Sequence, residues 1–371
     1  MDVWAMAVRL VGCSTTETWV ALVRDRCRGP IPTIAPLCFG SNTRGWPEAS
    51  WTCGPDGPRR AAKRQATGRN GNFCQTRGVE TQDDLGDGLT IGSMVAGEVS
   101  TLARWAVDEG WNPGLGDLDA VWDLQPAAFV ALRQGSNLVG GGTILDYGGG
   151  FGFMGLFIVE PAWRGRGLGG RLWTWRRDRL HERLGSSGVI GMDGVVALEP
   201  FYARGGFIPA YRNIRMAGLA SGPAERGEDS VVTLAHGDLD RFAVAEAATF
   251  PVAREAFWTR WLAREGVQTV GLLRGDTWAA FGVLRPCVEG FKLGPVVADD
   301  PDAARMVVSD LLARIEGSPV QWDVPEANPA AMVMARDFGL VESFACSRMY
   351  LGRIPSVDTR RLYGVASFEF G

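Results

Sequence analysis

Histidine and lysine are almost missing from this 371-residue chain: His181 and His236 are its two histidines, and Lys63 and Lys292 its two lysines. Two imidazoles, and seven cysteines among which no C-x-x-C spacing occurs, leave no residue set for a zinc centre, so no metal is expected. The odd cysteine count gives no disulfide framework either, and reduced thiols in a cytoplasmic protein are the default reading. No apolar run reaches the length of a membrane-crossing helix, and Asp2 ahead of the first apolar stretch, without a basic lead segment, argues against a secretory leader. The formal charge of −4 argues against a general nucleic-acid binder, and no nucleic-acid partner is expected, a module built on the arginines from Arg164 to Arg183 being the weaker alternative. The preference for arginine over lysine, with 50 glycines, reads as genome composition rather than chemistry.

Apolar residues make up 46% of the chain and charged residues 22%, enough for substantial cores, and the length implies two domains with some extra chain. Its most informative stretch is PAWRGRGLGG, Pro161 to Gly170, between the apolar run FGFMGLFIV and an arginine-rich helical pattern. A strand that ends in a glycine turn and feeds a helix leaves backbone N–H groups pointing into one concavity at the positive end of the helix dipole. That is an anion site. Gly165, Gly167, Gly169 and Gly170 allow close approach of a pyrophosphate, and Arg164 and Arg166 are expected to add forked donors. The stretch has neither the Lys-Ser/Thr of a P-loop nor G-x-G-x-x-G spacing; it reads R-x-x-G-x-G through Arg164, Gly167 and Gly169. Further on comes FYARGGF, with Tyr202 four positions before Gly206 at an expected helix end.

The two motifs, in this order, resemble the coenzyme A pyrophosphate loop and the following tyrosine helix of the GNAT superfamily of acyl-CoA-dependent N-acyltransferases. The segments EGWNPG, YRNIR, FKLGP and FEFG extend the likeness to a tandem subgroup with a degenerate C-terminal GNAT-like half. The resemblance implies an α/β fold with mixed sheets, acetyl-CoA as co-substrate, and direct transfer of its acetyl group to an amine of a small-molecule or peptide acceptor.

The pattern of elements agrees. Residues 1–88 lack periodicity and carry five cysteines and the basic stretch RRAAKRQATGRNGN; they read as disordered, or as sequence upstream of the true start. From Leu89 the order β-α-α-β-β-β-α-β-α-β predicts a catalytic domain over 89–220. After the polar stretch 221–230 the same order returns over 231–371. The second copy has ADDPDAA, with Asp299, Asp300 and Asp302, where the first has its glycine loop, and Ala335 where the first has Tyr202. It is expected not to bind coenzyme A.

Transfer to an amine needs a neutral nitrogen, a polarised thioester carbonyl and a proton for the leaving thiolate. By resemblance, backbone groups of Phe157, Ile158 and Val159 pair with the pantetheine arm, Leu168 lies within the loop, and Tyr202 is the general acid. The base is open. Asp193, at the end of the fifth strand, is the candidate, and a turn aspartate is the other reading of the same residue. Acceptor contacts are expected from Trp111, Asn112 and Asp117 between the first two helices, and from Tyr211 and Asn213 on the sixth strand. A non-catalytic acyl-CoA sensor is the alternative to an enzyme.

Overall fold

The structure, a computed structural model, describes residues 82–222, 230–234, 238–275 and 277–371. The first half runs β1 (Asp83–Gly86), β2 (Leu89–Ser93), α1 (Ala96–Asp108), α2 (Asp117–Leu124), β3 (Phe129–Gln134), β4 (Asn137–Asp146), β5 (Phe151–Val159), α3 (Leu168–Leu184), β6 (Val189–Val195), α4 (Glu199–Arg204) and β7 (Phe207–Leu219). The second runs β8 (Ser230–Thr233), α5 (Leu239–Glu246), α6 (Glu255–Trp261), β9 (Gln268–Arg274), β10 (Thr277–Pro286), β11 (Phe291–Ala298), α7 (Pro301–Ala313), β12 (Pro319–Pro325), α8 (Pro329–Asp337), β13 (Val341–Leu351) and the short β14 (Leu362–Gly364). The mixed α/β class expected from sequence is what the structure shows. One boundary moves. Asp83–Gly86, inside the stretch read as disordered, pairs antiparallel with β2, because DDLG and LTI meet across a two-residue turn. Residues 1–81 of that stretch, the basic segment included, lie outside the described residues, as does most of the 221–230 connection.

Local sequence accounts for each element. FGFMGLFIV is apolar throughout because β5 is covered on both faces, the usual condition of a strand in a parallel pair. Helix α1 turns Val99, Leu102, Trp105 and Ala106 inward, and its Glu98 carboxylate accepts the Val95 N–H at 2.8 Å at the helix start. Helix α8 starts at Pro329 behind Asn328, whose side chain accepts the Ala331 N–H.

The two halves share one 14-stranded sheet in the order β1-β2-β3-β4-β5-β6-β13-β7-β12-β11-β10-β9-β8, with β14 on β11. The last long strand of each half is thus exchanged. β13 pairs with β6 of the first half, β7 pairs with β12 of the second, and the two exchanged strands pair with each other in the middle. Neither half completes its sheet from its own chain.

Alternation along the strands separates two faces. On one, α3 and α4 cover the first half and α7 and α8 the second, taking in residues such as Met154, Met192, Ala280 and Leu284. On the other, α1, α2, α5, α6 and the C-terminal segment form a common core that includes Leu156, Ile158, Phe281, Val283, Ala366 and Phe370. The site grows from the place where these two faces communicate.

Candidate active site

Gly165 (φ 76°) and Gly167 (φ 75°) take left-handed conformations that side chains adopt at a cost, and Gly167 stands at the N-terminus of α3 with no side chain capping it. No carbonyl among the described residues accepts the N–H groups of Gly165 through Gly170. A Cβ at Gly167 or Gly170 would meet only open space, and a groove of about 770 Å³ lined by Gly167, Gly170, Arg171, Trp175, Asp83 and Leu85 opens beside it. The residues present fit a pyrophosphate: several N–H donors, a helix dipole and no obstructing side chain. The arginines are used differently from the expectation. Arg164 donates from Nε to the Val159 carbonyl at 2.8 Å and pairs with Glu109 at the end of α1, while Arg166 lies over the Trp163 ring. Both side chains are already engaged by the protein, so the loop's available donors are backbone. The other arginines of α3 are similarly occupied: Arg171 by the Leu85 carbonyl, Arg177 by Asp178 and Arg179 by Glu182.

Strand β5 pairs with β6 from Phe151↔Val189 to Met154↔Met192, and there the ladder stops. The next residues of β5 bulge. Gly141 and Thr143 on β4 face Ile158 and Gly155, so one extra residue is accommodated, and Leu156 takes φ 51°. The bulge puts Gly155 and Leu156 on the same face and turns the backbone of Phe157–Val159 relative to the rest of the strand. Under it, on the α3 face, Arg176 is buried and donates to the carbonyls of Thr143, at 2.6 Å, and Gly155; burial pushes its pKa down to about 9. Tyr202 of α4 sits on that same face, against Gly194, Trp173 and Phe201. Burial raises its hydroxyl pKa above the ordinary value, with Arg176 acting in the opposite direction, so the phenol remains a proton donor at neutral pH.

The opposite face carries the residues expected on the acceptor side. Asp193, immediately after the last β5–β6 pair, accepts from Arg348 Nε (2.8 Å) and Arg348 Nη2 (2.7 Å) and from Asn213 Nδ2 (2.9 Å). Burial raises the Asp193 pKa and by itself would lower that of Arg348, but the carboxylate holds Arg348 well above the usual arginine value, and three donors fill the Asp193 oxygens. Asp193 is thus a closed ion pair rather than an open base. Tyr211 lies opposite Arg348 on β7. The turn residues serve the junction of the halves: the Trp111 carbonyl accepts from Arg215 (2.9 Å), Asn112 exchanges hydrogen bonds with Glu289 in the β10–β11 turn, and Asp117 pairs with Arg264 and Arg285. Their polar groups hold second-half loops and strands, which a single-copy reading of the sequence could not show.

Among the described residues, the buried acceptors on this face that stay without a donor include Oδ1 of Asn213 and Oε2 of Glu369. Glu369 belongs to the C-terminal segment, which crosses the face so closely that its carbonyl leaves no room for a Cβ at Gly155. Sequence reading missed it, since FEFG has no periodicity and follows the last expected strand.

In the second half both features of the first are filled. β11 bulges between Leu293 and Val296 and parts from β12 after Leu293↔Trp322, but β14 pairs with β11 just beyond, and the Val365 N–H donates to the Asp323 carbonyl of β12 at 2.9 Å. The chain itself occupies that gap. Helix α7 is capped by Asp300, whose carboxylate accepts the Ala303 N–H at 2.8 Å and pairs with Arg274, while Asp299 pairs with Arg361. Among the described residues no cluster of histidine, cysteine or carboxylate groups could hold a metal ion, and no helix is long and apolar enough to cross a membrane.

Comparison with known proteins agrees with this geometry. Profiles described as acetyltransferase (GNAT) domains match residues 119–223 and, separately, 243–364. The chain belongs to the GNAT acyltransferase superfamily, in its tandem form. It is 24% identical over 275 residues, 74% of this chain and 92% of the relative, to a Pseudoalteromonas protein named holothin acyltransferase. Among solved structures, a Pyrococcus horikoshii protein described as an acetyltransferase matches with TM-score 0.65 and 22% identity over 78% of this chain and 98% of that one. A tandem GNAT protein from clavulanic acid biosynthesis matches with TM-score 0.54 and 16% identity over 72% of this chain and 99% of that one.

Proposed function

We propose that this protein transfers an acetyl group from acetyl-CoA to an amine, with the first half performing the chemistry and the second completing its sheet and acceptor side. The observation that carries this reading is the contrast between the halves. The first has an uncapped glycine helix start and, beside Tyr202, a parting of β5 from β6 that no strand among the described residues bridges; the second has a helix start capped by Asp300 and a parting closed by β14. Bound acyl-CoA would supply the activated thioester. Gly165 to Gly170 would hold its pyrophosphate, the turned backbone at Phe157 and Ile158 would position the pantetheine arm, and Tyr202 would give a proton to the departing sulfur.

The compound in the relative's name, holothin, is the first acceptor to test, followed by a panel of amines, amino acids, polyamines and peptides. Calorimetry with acetyl-CoA and thiol release with each acceptor check the reading. It predicts one coenzyme per chain and release with at least one amine. Binding without release from any acceptor would favour a coenzyme sensor, and absence of binding would remove both readings.

A further inference from the structure

We propose that the acceptor's ammonium group is held between Asn213 Oδ1 and Glu369 Oε2, and that Glu369 is the base that removes its proton. This rests on the acetyl-transfer reading and goes beyond it by assigning the acceptor nitrogen's site and a catalytic residue from the second half.

Four observations converge. Both atoms are hydrogen-bond acceptors, both are buried, and neither has a donor, although an unmet buried acceptor costs roughly 1–3 kcal/mol and more if charged. A protonated amine brings three N–H donors and no acceptor, which is the complement of an amide oxygen and a carboxylate oxygen. The position is right. Asn213 is bonded to Asp193, the first β6 residue beyond the last β5–β6 pair, and the backbone of Glu369 lies on Gly155, the first such residue of β5, so both residues border the gap on the face away from Tyr202. Finally, Asp193 is unavailable, since three donors already fill its carboxylate. The charged and titratable groups facing Glu369 are Arg215, Lys292 and Cys346. Arg215 is bound to Asp323 at 2.7 and 2.9 Å and Lys292 donates to the Trp111 carbonyl at 3.4 Å, and among the described residues neither gives a hydrogen bond to Oε2 of Glu369.

The proton balance is simple. Glu369 takes one proton from the ammonium; the freed nitrogen lone pair forms the C–N bond to the acetyl carbon as the C–S bond breaks. Tyr202 protonates the sulfur and recovers a proton from solvent, to which the nitrogen loses its second proton. Amide, free thiol and one net proton, on Glu369, result.

The test uses the full chain, with n-butylammonium as probe. Calorimetry should show it binding to the wild-type protein loaded with coenzyme A. Glu369→Gln, which keeps the shape, should weaken that binding at least 10-fold and leave coenzyme A affinity unchanged. With the best acceptor from the thiol-release screen, Glu369→Gln should slow turnover about 100-fold at pH 7. The loss should shrink as pH approaches the amine's own pKa, near 10.4 for an alkylamine, where the neutral nucleophile forms without a base. Asn213→Ser, melting like wild type, should raise the acceptor KM with a smaller effect on kcat. Unchanged butylammonium binding in Glu369→Gln, no binding to wild type, or a deficit that persists undiminished at high pH would overturn the assignment. Failure of coenzyme A to bind wild type would instead overturn the acetyl-transfer reading itself.

Discussion

Arg348 of the second half holds Asp193 of the first in a two-pronged ion pair, with 3% and 0% of the two side chains exposed. Arg215 of the first half holds Asp323 of the second in the same way. Each arginine sits on an exchanged strand and each aspartate on the strand that receives it, so the two pairs are one device used twice. That repetition is the reason to regard Asp193 as structural: its counterpart stands in the half whose coenzyme features are filled.

Removing one partner from such a buried pair strands a charge and costs roughly 3–5 kcal/mol. Asp193→Asn and Arg348→Met should each lower stability by about that amount in denaturant titrations, and their combination by less than the sum. A pH effect follows from Asp323. Burial alone would raise its pKa, but Arg215 brings the folded value below the ordinary 3.8. The folded value lies under the unfolded one, so this stabilisation is complete above about pH 4 and is lost as pH falls through the folded value. Denaturation midpoints should therefore drop below about pH 4, less steeply in Asp323→Asn than in wild type. Equal acid sensitivity would mean that the pair does not control this limb.

Gly167→Asp puts a Cβ on a left-handed residue and a carboxylate at the uncapped start of α3, reproducing what Asp300 does for α7. Acetyl-CoA affinity should fall at least about 100-fold. A calorimetric isotherm like that of wild type would move the coenzyme elsewhere.

Tyr202→Phe removes only the hydroxyl from a ring packed on Trp173 and Phe201. Acetyl-CoA affinity should stay within about 2-fold while kcat falls roughly 100-fold, the pattern of a group used in the transition state. An undiminished kcat would assign the sulfur's proton to water.

One acetyl-CoA should bind per chain, since β14 fills the second gap. Ending the chain near Ser221 would deprive β6 of β13 and β7 of both β13 and β12, leaving an open edge on β6 and β7 without a partner. The fragment should aggregate, as gel filtration would show. A monomeric, active fragment would show that the exchange is dispensable.

The glycine loop was legible in the sequence because its chemistry is local: a strand, a turn at Gly165 and Gly167, and a helix start are adjacent in the chain, and backbone N–H groups need no distant partner to point outward. Element order and the acidic helix start of the second copy were legible for the same reason, since periodicity and the Asp300 cap lie within a few residues. β1 was missed because DDLG is too short for a period to show. The fate of charges was not local. Arg164 reads as a phosphate ligand until Glu109 is found beside it, and Asp193 as a base until Arg348, 155 positions away, closes on it. Strand exchange, the filling of the second gap by β14 and the approach of Glu369 to Gly155 depend on which segments meet across the sheet. Sequence alone determined where a glycine turn meets a helix start and leaves backbone N–H groups exposed; tertiary structure decided which carboxylates remain open, because a charge is free or spent according to its neighbours in space.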